Sequence, residues 1–364
     1  MAVRIDGEVR SGSLEIDLDS ASWEEHGHGG NESFDDVILH IFLEKTVRGH
    51  FFTRNSRHRS IPQLQLDSSL LDIMTAGDLP EAFPGRCLAP LQGMSGDAVQ
   101  SLLEAAAQFR VKKKCDRLRA MSGATSSRQT LFQAICEALG FRHNKTAMAI
   151  LAQRNQLGDL LDASAAEREA RLFGAAGFMT SEIYDPSLSQ EATRYLKELW
   201  QHWWKVRPEV EPEESRAIRW KLSGTRPVNH PQRRVGAIAA ILEQWNGIAA
   251  TWEKPGTDLA GNWRRHCDEL SHRYWDHHYT LHSRASESAM KLIGTDRQRD
   301  ILGNVLFPWC LGRDQGCWAE FAAMRGVDTN EKLRRAKLRL FGADAETAKR
   351  YSRFYYQQQA LLQI

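Results

Sequence analysis

The chain has 364 residues, 42% hydrophobic and 26% charged, with 48 Lys and Arg against 46 Asp and Glu for a net charge of +2. That composition is ordinary for a globular protein and excludes disordered, collagen-like and coiled-coil classes; at roughly 150 residues per domain it leaves room for about two domains. The longest apolar runs, VILHIFL at 37–43 and VGAIAAIL at 235–242, fall far short of the ~20 residues a bilayer requires. The six cysteines contain no CxxC pair, and MAVRIDGEVR has no apolar leader core, so a reduced, cytoplasmic protein with no membrane partner is expected.

Charge divides the chain unevenly. Residues 1–67 hold 7 Lys/Arg and 12 Asp/Glu, whereas the remainder holds 41 and 34. The acidic part also carries the strand signals: SLEIDLD at 13–19 alternates, VILHIFL is continuous and apolar, and IPQLQL at 61–66 alternates again. A run without alternation reads as a strand buried on both faces. Residues 20–36 are long enough to cross over to a parallel neighbour, with Ser22–Glu25 as a capping-box helix start and a stop near Gly27. The expectation is a βαβ step within a small α/β module spanning residues 1–67.

Residues 68–96 turn rich in Gly and Pro, as a connection between domains does. Helical periodicity then dominates 97–364, most clearly over 97–121, 127–139, 165–174, 190–206, 231–245, 297–311, 329–341 and 345–362. The fold expected is α+β: the α/β module followed by a large all-helical domain. The string RLFGA occurs at 171–175 and 339–343 and reads as a helix exit at a terminating glycine.

The candidate chemistry starts on the first alternating segment. Glu15, Asp17 and Asp19 share one strand face about 7 Å apart in succession, opposite Leu14, Ile16 and Leu18. Such a row repels itself unless water or a cation screens it, which makes it either a solvated face or a site for a hard divalent ion. His26 and His28 follow in EEHGHGG, where two imidazoles one residue apart can reach a common point as metal ligands or proton carriers. His40, inside VILHIFL, reads as a hydrogen-bonded core histidine and Trp23 as the core anchor of the crossover helix.

Taken together, GSLEIDLDSASWEEHGHGGNESFDDVILHIF resembles the signature of a bacterial family, domain of unknown function 2851 (DUF2851). LFGAAGF at 172–178, WKLSGTRPVNHPQRRVGAIAAIL at 220–242, YWDHHYT at 274–280, DILGNVLFPW at 300–309 and YQQQALLQI at 356–364 follow in the family's order. Family members carry Glu-Ile-His where this chain has Glu15-Ile16-Asp17, and a Gly-Pro-Asp-Phe segment upstream of that strand. Met1 falls where that segment would end, so a preceding strand or two is expected to be missing. The arrangement also looks like the core of PD-(D/E)XK nucleases, and that resemblance implies metal-dependent phosphodiester hydrolysis with Mg²⁺ or Mn²⁺. Glu15 matches the metal-binding Glu of that pattern. Asp17 stands where it has a Lys, leaving His26 or His28 as the substitute donor.

Basic segments supply a second signal. From Arg216 to Leu242 there is no acid, and Arg226, Arg233 and Arg234 with their neighbours make the cluster expected to meet phosphates of a nucleic acid. Asn229 is a candidate cap for the helix after Pro231. Residues 110–119 and 331–353 are also basic, the latter running into RYSRFYY, where base stacking competes with plain core burial. In HCDELSHRYWDHHYTLH at 266–282, His278 and His282 would share a helical face at metal spacing, but no HExxH or second usable Cys completes a site, and the family resemblance takes in only Tyr274, Trp275, His278 and Tyr279, which implies a packed aromatic–histidine contact. The leading reading is thus a nucleic-acid-associated, nuclease-like protein with Glu15, Asp17, His26 and His28 at its site and Glu15 and Asp17 on the metal. A non-catalytic helical scaffold and a metal hydrolase of small anions are the competing readings.

Overall fold

The computed structural model describes residues 2–45, 53–67, 89–179, 186–210, 218–253, 258–313, 316–327 and 330–364. The chain divides into two units, Met1–Ala82 and Phe83–Ile364. The fold is the expected α+β combination of a small sheet region and a large helical region.

The first unit opens with a hairpin of β1 (Ala2–Ile5) and β2 (Glu8–Ser11). Asp6 and Gly7 form its turn, both at positive φ, as a two-residue turn matched to strand twist requires. A second sheet then forms from β3 (Ser13–Asp19), β4 (Val37–Glu44) and β5 (Gln63–Gln65), all parallel and in that spatial order. The βαβ step is therefore present, and the helix α1 (Ser22–Glu25) lies in the crossover. No side chain caps α1; instead Asp19 Oδ1 accepts from Ala21 N at 2.7 Å, and the helix ends at His26 before Gly27 at φ +69°. Trp23 anchors the crossover as expected: it is buried with Val37 and Ile61, and its indole N–H donates to Arg54 O at 2.9 Å.

The two faces of this sheet invert the usual order. Register pairs Glu15 with His40 and Asp17 with Phe42, and His40 with Gln63, so acids, imidazole and amides share one face. The crossover covers that face. The opposite face carries Ile16 at 66% exposure, Leu18 at 75% and Leu64 at 46%, with Ile41 of the central strand buried between its neighbours.

In the second unit the helices expected over 97–121, 127–139, 165–174 and 190–206 are Gly96–Ala124, Ser127–Leu139, Ala165–Ala175 and Gln190–Val210. Side chains at Ser95, Ser126 and Ser164 cap the first three, satisfying amide donors that the first turn leaves free. The 345–362 segment is two helices, Ala345–Arg350 and Tyr355–Leu361. Helices at Lys145–Arg154, Leu157–Asp162, Leu259–Glu269 and Trp318–Ala323 were not evident from periodicity. Of the connection at 68–96, residues 68–88 lie outside the described residues. Residues 89–94 pack on the helical unit, with Ala89 N and Leu91 N donating to Arg339 O and Leu340 O at 2.8 and 3.1 Å.

The two RLFGA copies differ in a way the string conceals. Gly342 does end its helix, at φ +63°. Gly174 is inside one, where an added Cβ would come within 2.3 Å of the Trp203 ring; close packing, not helix termination, demands that glycine. The long helical run at 295–311 also contains a wide turn at Leu302–Leu306. Phe307 N–H reaches back to Leu302 O, and Pro308 has no N–H to give, so Gly303 O is left free and accepts from Lys114 Nζ at 3.3 Å.

Candidate metal centre

β3 and the crossover bring Asp17, His26 and His28 together. One donor atom from each lies within 4.8 Å of the others, with Asp17 Oδ1 3.8 Å from His26 Nδ1 and Glu15 Oε1 3.8 Å from His28 Nδ1. The strand supplies both acids at i and i+2, and the loop after α1 swings back over them. Asp19, the third acid of the row, is turned away to the start of α1. The acids are also not a solvated face: the Asp17 side chain is only 9% exposed, whereas His26 is 57% exposed.

A second layer fixes Asp17. His40 is fully buried, with Nε2 3.2 Å from Asp17 Oδ2 and Nδ1 2.7 Å from Thr53 Oγ1, and Gln63 Nε2 donates to that same hydroxyl at 2.7 Å. A carboxylate only accepts, so His40 carries its proton on Nε2, and Thr53 donates its hydroxyl proton to Nδ1. Burial, opposed by the Asp17 charge, holds His40 below its ordinary value, which keeps this neutral form at physiological pH. Sequence reasoning assigned His40 to the core and did not connect it to the site; Thr53 carried no signal at all.

His28 shows where the site is incomplete. Its ring stacks on Phe34 at 3.9 Å with an edge contact to Trp23, so its orientation is fixed. Yet Nδ1 is buried without a hydrogen-bond partner, and an unsatisfied buried nitrogen of this kind calls for an explanation such as an ion. Two imidazoles and one carboxylate, with Glu15 beside them, make a donor set for a divalent transition ion with positions left open.

A family model described as Protein of unknown function (DUF2851) matches residues 1–324. The chain belongs to this family. The DUF2851 match takes in Glu15, Asp17, His26, His28 and His40 together, along with most of the helical unit. No curated protein and no solved structure matches the chain.

The basic residues of this DUF2851 protein do not make the exposed cluster that their spacing suggested. Arg233 is 1% exposed and donates to Met290 O and Lys291 O at 2.9 and 3.3 Å; Arg234 is 4% exposed and donates to Leu292 O at 2.9 Å and Asn229 Oδ1 at 2.6 Å. Arg233 thus serves as an internal clamp on the 290–291 main chain, not as a surface phosphate contact. Asn229 is taken up by Arg234 and caps nothing; the helix Pro231–Glu243 begins after His230. Arg226 is exposed, and Arg216 lies outside the described residues. In RYSRFYY, Tyr351, Tyr355 and Tyr356 are buried in the core, so they offer no stacking platform.

The 266–282 histidines also resolve into packing. Residues 273–283 form turns, not a helix. His278 stacks on Tyr274 at 3.9 Å, the aromatic–histidine contact expected there. His272 accepts Tyr274 N and Trp275 N at Nδ1, which leaves its proton on Nε2 for Glu169 Oε1 at 2.7 Å. Among the described residues no helix is long and apolar enough to cross a membrane.

Proposed function

We propose that the N-terminal unit binds a divalent transition ion through Asp17, His26 and His28 and hydrolyses phosphodiesters, as a nuclease-like protein. The convergence of those three donors, with an orientation-locked His28 nitrogen that makes no hydrogen bond and faces Glu15, carries the reading. Imidazole donors favour Mn²⁺ over Mg²⁺, which prefers oxygen. When bound, the ion supplies polarisation of a phosphoryl oxygen and acidification of an attacking water. Glu15, 3.8 Å from His28, is the carboxylate that would act as proton acceptor beside the ion. His40 and Thr53 hold Asp17 in the orientation that would ligate, and His26 stands exposed at the edge of the site. The phosphodiester class draws on the strand–crossover–strand core with Glu15 on its first strand.

The test is calorimetry of the full chain, stripped with EDTA and titrated with Mn²⁺, alongside cleavage of a fluorescent single-stranded oligonucleotide. Wild type should bind Mn²⁺ and cleave only with it, while Asp17→Asn and His28→Gln weaken binding by ten-fold or more. Equal Mn²⁺ affinity in wild type and Asp17→Asn would remove the site and leave the helical scaffold reading in its place.

A further inference from the structure

The helical unit contains a cleft of about 950 Å³, at the upper end of the ~300–1,000 Å³ that small-molecule sites occupy. Its walls are the turn at 140–144, the segment at 224–229 and the stretch 291–297. Two buried side chains bind those walls together. Asn144 grips Lys221 through both its amide groups, at 3.0 Å to O and 2.8 Å from N, and Arg234 joins Asn229 to Leu292. The cleft is therefore shaped before any ligand arrives.

Its charge is unbalanced. Arg142, Arg226, Arg234, Lys291 and Arg297 line it against only Asp296 and Asp300. Lys291 is paired with Asp268 at 2.7 Å, Arg297 with Asp300 at 3.1 Å, and Asp296 is engaged by Arg299 at 3.5 Å. Arg142, Arg226 and Arg234 have no carboxylate partner among the described residues. Arg234 is the buried member: its Nε, like that of Arg297, has no hydrogen-bond partner, and the like charges of Arg297 and Arg233 act on it. Burial and those like charges push its guanidinium down to about 9, the response of a cation lacking a counter-ion. At the lip, the Arg297 guanidinium lies 4.3 Å over the Phe141 ring, and Phe141 holds φ +53°, a costly conformation for a bulky residue.

We propose that this cleft binds a phosphate-bearing ligand of about mononucleotide size, whose anion is the missing counter-charge for Arg226, Arg142 and Arg234. Arg226 and Arg142, exposed at the rim, make the direct contacts; Arg234 and Arg297 supply the field beneath them. Arg234 lends its charge to the cleft while its terminal nitrogens are held by Leu292 and Asn229. The proposal does not depend on the metal centre.

The test titrates the full chain, in EDTA so that no metal contributes, with pyrophosphate, a nucleoside triphosphate, the corresponding neutral nucleoside and a short single-stranded oligonucleotide. Pyrophosphate and the triphosphate should bind and raise the melting temperature, while the nucleoside does not. Arg142→Ala/Arg226→Ala, both surface positions, should weaken binding at least ten-fold. Lys332→Ala/Arg335→Ala, an equal charge removal on the helix Glu331–Phe341, should leave it unchanged. Oligonucleotide binding alone, still lost in the Arg142/Arg226 variant, would place the phosphate in a nucleic-acid backbone and support the same chemistry. Binding by none of the phosphates, or equal loss in both double variants, would overturn the proposal.

Discussion

Charged groups lie inside both units, but under opposite terms. In the helical unit the buried Arg233 and the half-buried Lys114 place their terminal donors on main-chain carbonyls and amide oxygens: Arg233 on Met290 and Lys291, Lys114 on Gly303, Asn304 and Gln359. These cations close gaps in the backbone ledger that turns and the wide helical turn create. In the sheet unit, Asp17 and His28 are half-buried and converge with His26 on one point, while Ile16 and Leu18 face outward. Buried charge alone therefore says little about function. What separates a structural cation from a site is whether its terminal donors end on main-chain carbonyls or converge with other ligating side chains.

The comparison makes its largest prediction at Arg233. Arg233→Met keeps most of the volume but strips two carbonyls of their donor, and should cost about 2–4 kcal/mol of stability. Urea denaturation followed by tryptophan fluorescence measures it. Metal affinity in the sheet unit should not change. A variant as stable as wild type would show that the 290–291 carbonyls find other partners and that the structural assignment of this arginine fails.

The same distinction explains what the sequence disclosed. Strand alternation and the length of the crossover made the parallel step legible, because those depend on local periodicity and chain reach. The Asp6-Gly7 turn is a hairpin signal in the sequence too, but the flanking residues carry too many charges to show a strand by alternation. The meeting of Asp17 with His26 and His28 was readable only as a possibility, since a strand and a loop can be brought together in several ways. Thr53 and Gln63 were not legible, because their role exists only through His40, across strand pairing that no local pattern encodes. Charge clustering misled most at Arg233 and Arg234: a run without acids looks alike whether its arginines meet phosphates or carbonyls.

Thr53→Val tests the supporting layer at an intermediate scale. Valine keeps the shape but removes the hydroxyl that donates to His40 Nδ1, freeing the ring to turn and Asp17 with it. Mn²⁺ affinity by calorimetry should fall about ten-fold, as second-layer substitutions do. Thr53→Ser, which restores the hydroxyl, should recover it. An unchanged affinity in Thr53→Val would mean that His40 is packing alone and contributes nothing to the metal ligand.

The smallest effect belongs to the outward apolar face. β3 alternates, so whichever side carries Glu15 and Asp17 must send Ile16 and Leu18 to the other; in an ordinary half-buried strand the apolar side would be the core side. Here the crossover, anchored by Trp23, covers the polar face instead, and the apolar residues contribute little burial to lose. Ile16→Thr/Leu18→Thr keeps or mildly alters strand preference and removes exposed surface only, so stability should change by less than about 0.5 kcal/mol per site with Mn²⁺ binding intact. A loss of several kcal/mol on urea denaturation would show that this face is covered in solution, and the inversion that sets the two units apart would disappear. A null result would confirm that the sheet keeps its donors beneath the crossover at the expense of its apolar side, the reverse of the arrangement that stability alone would select.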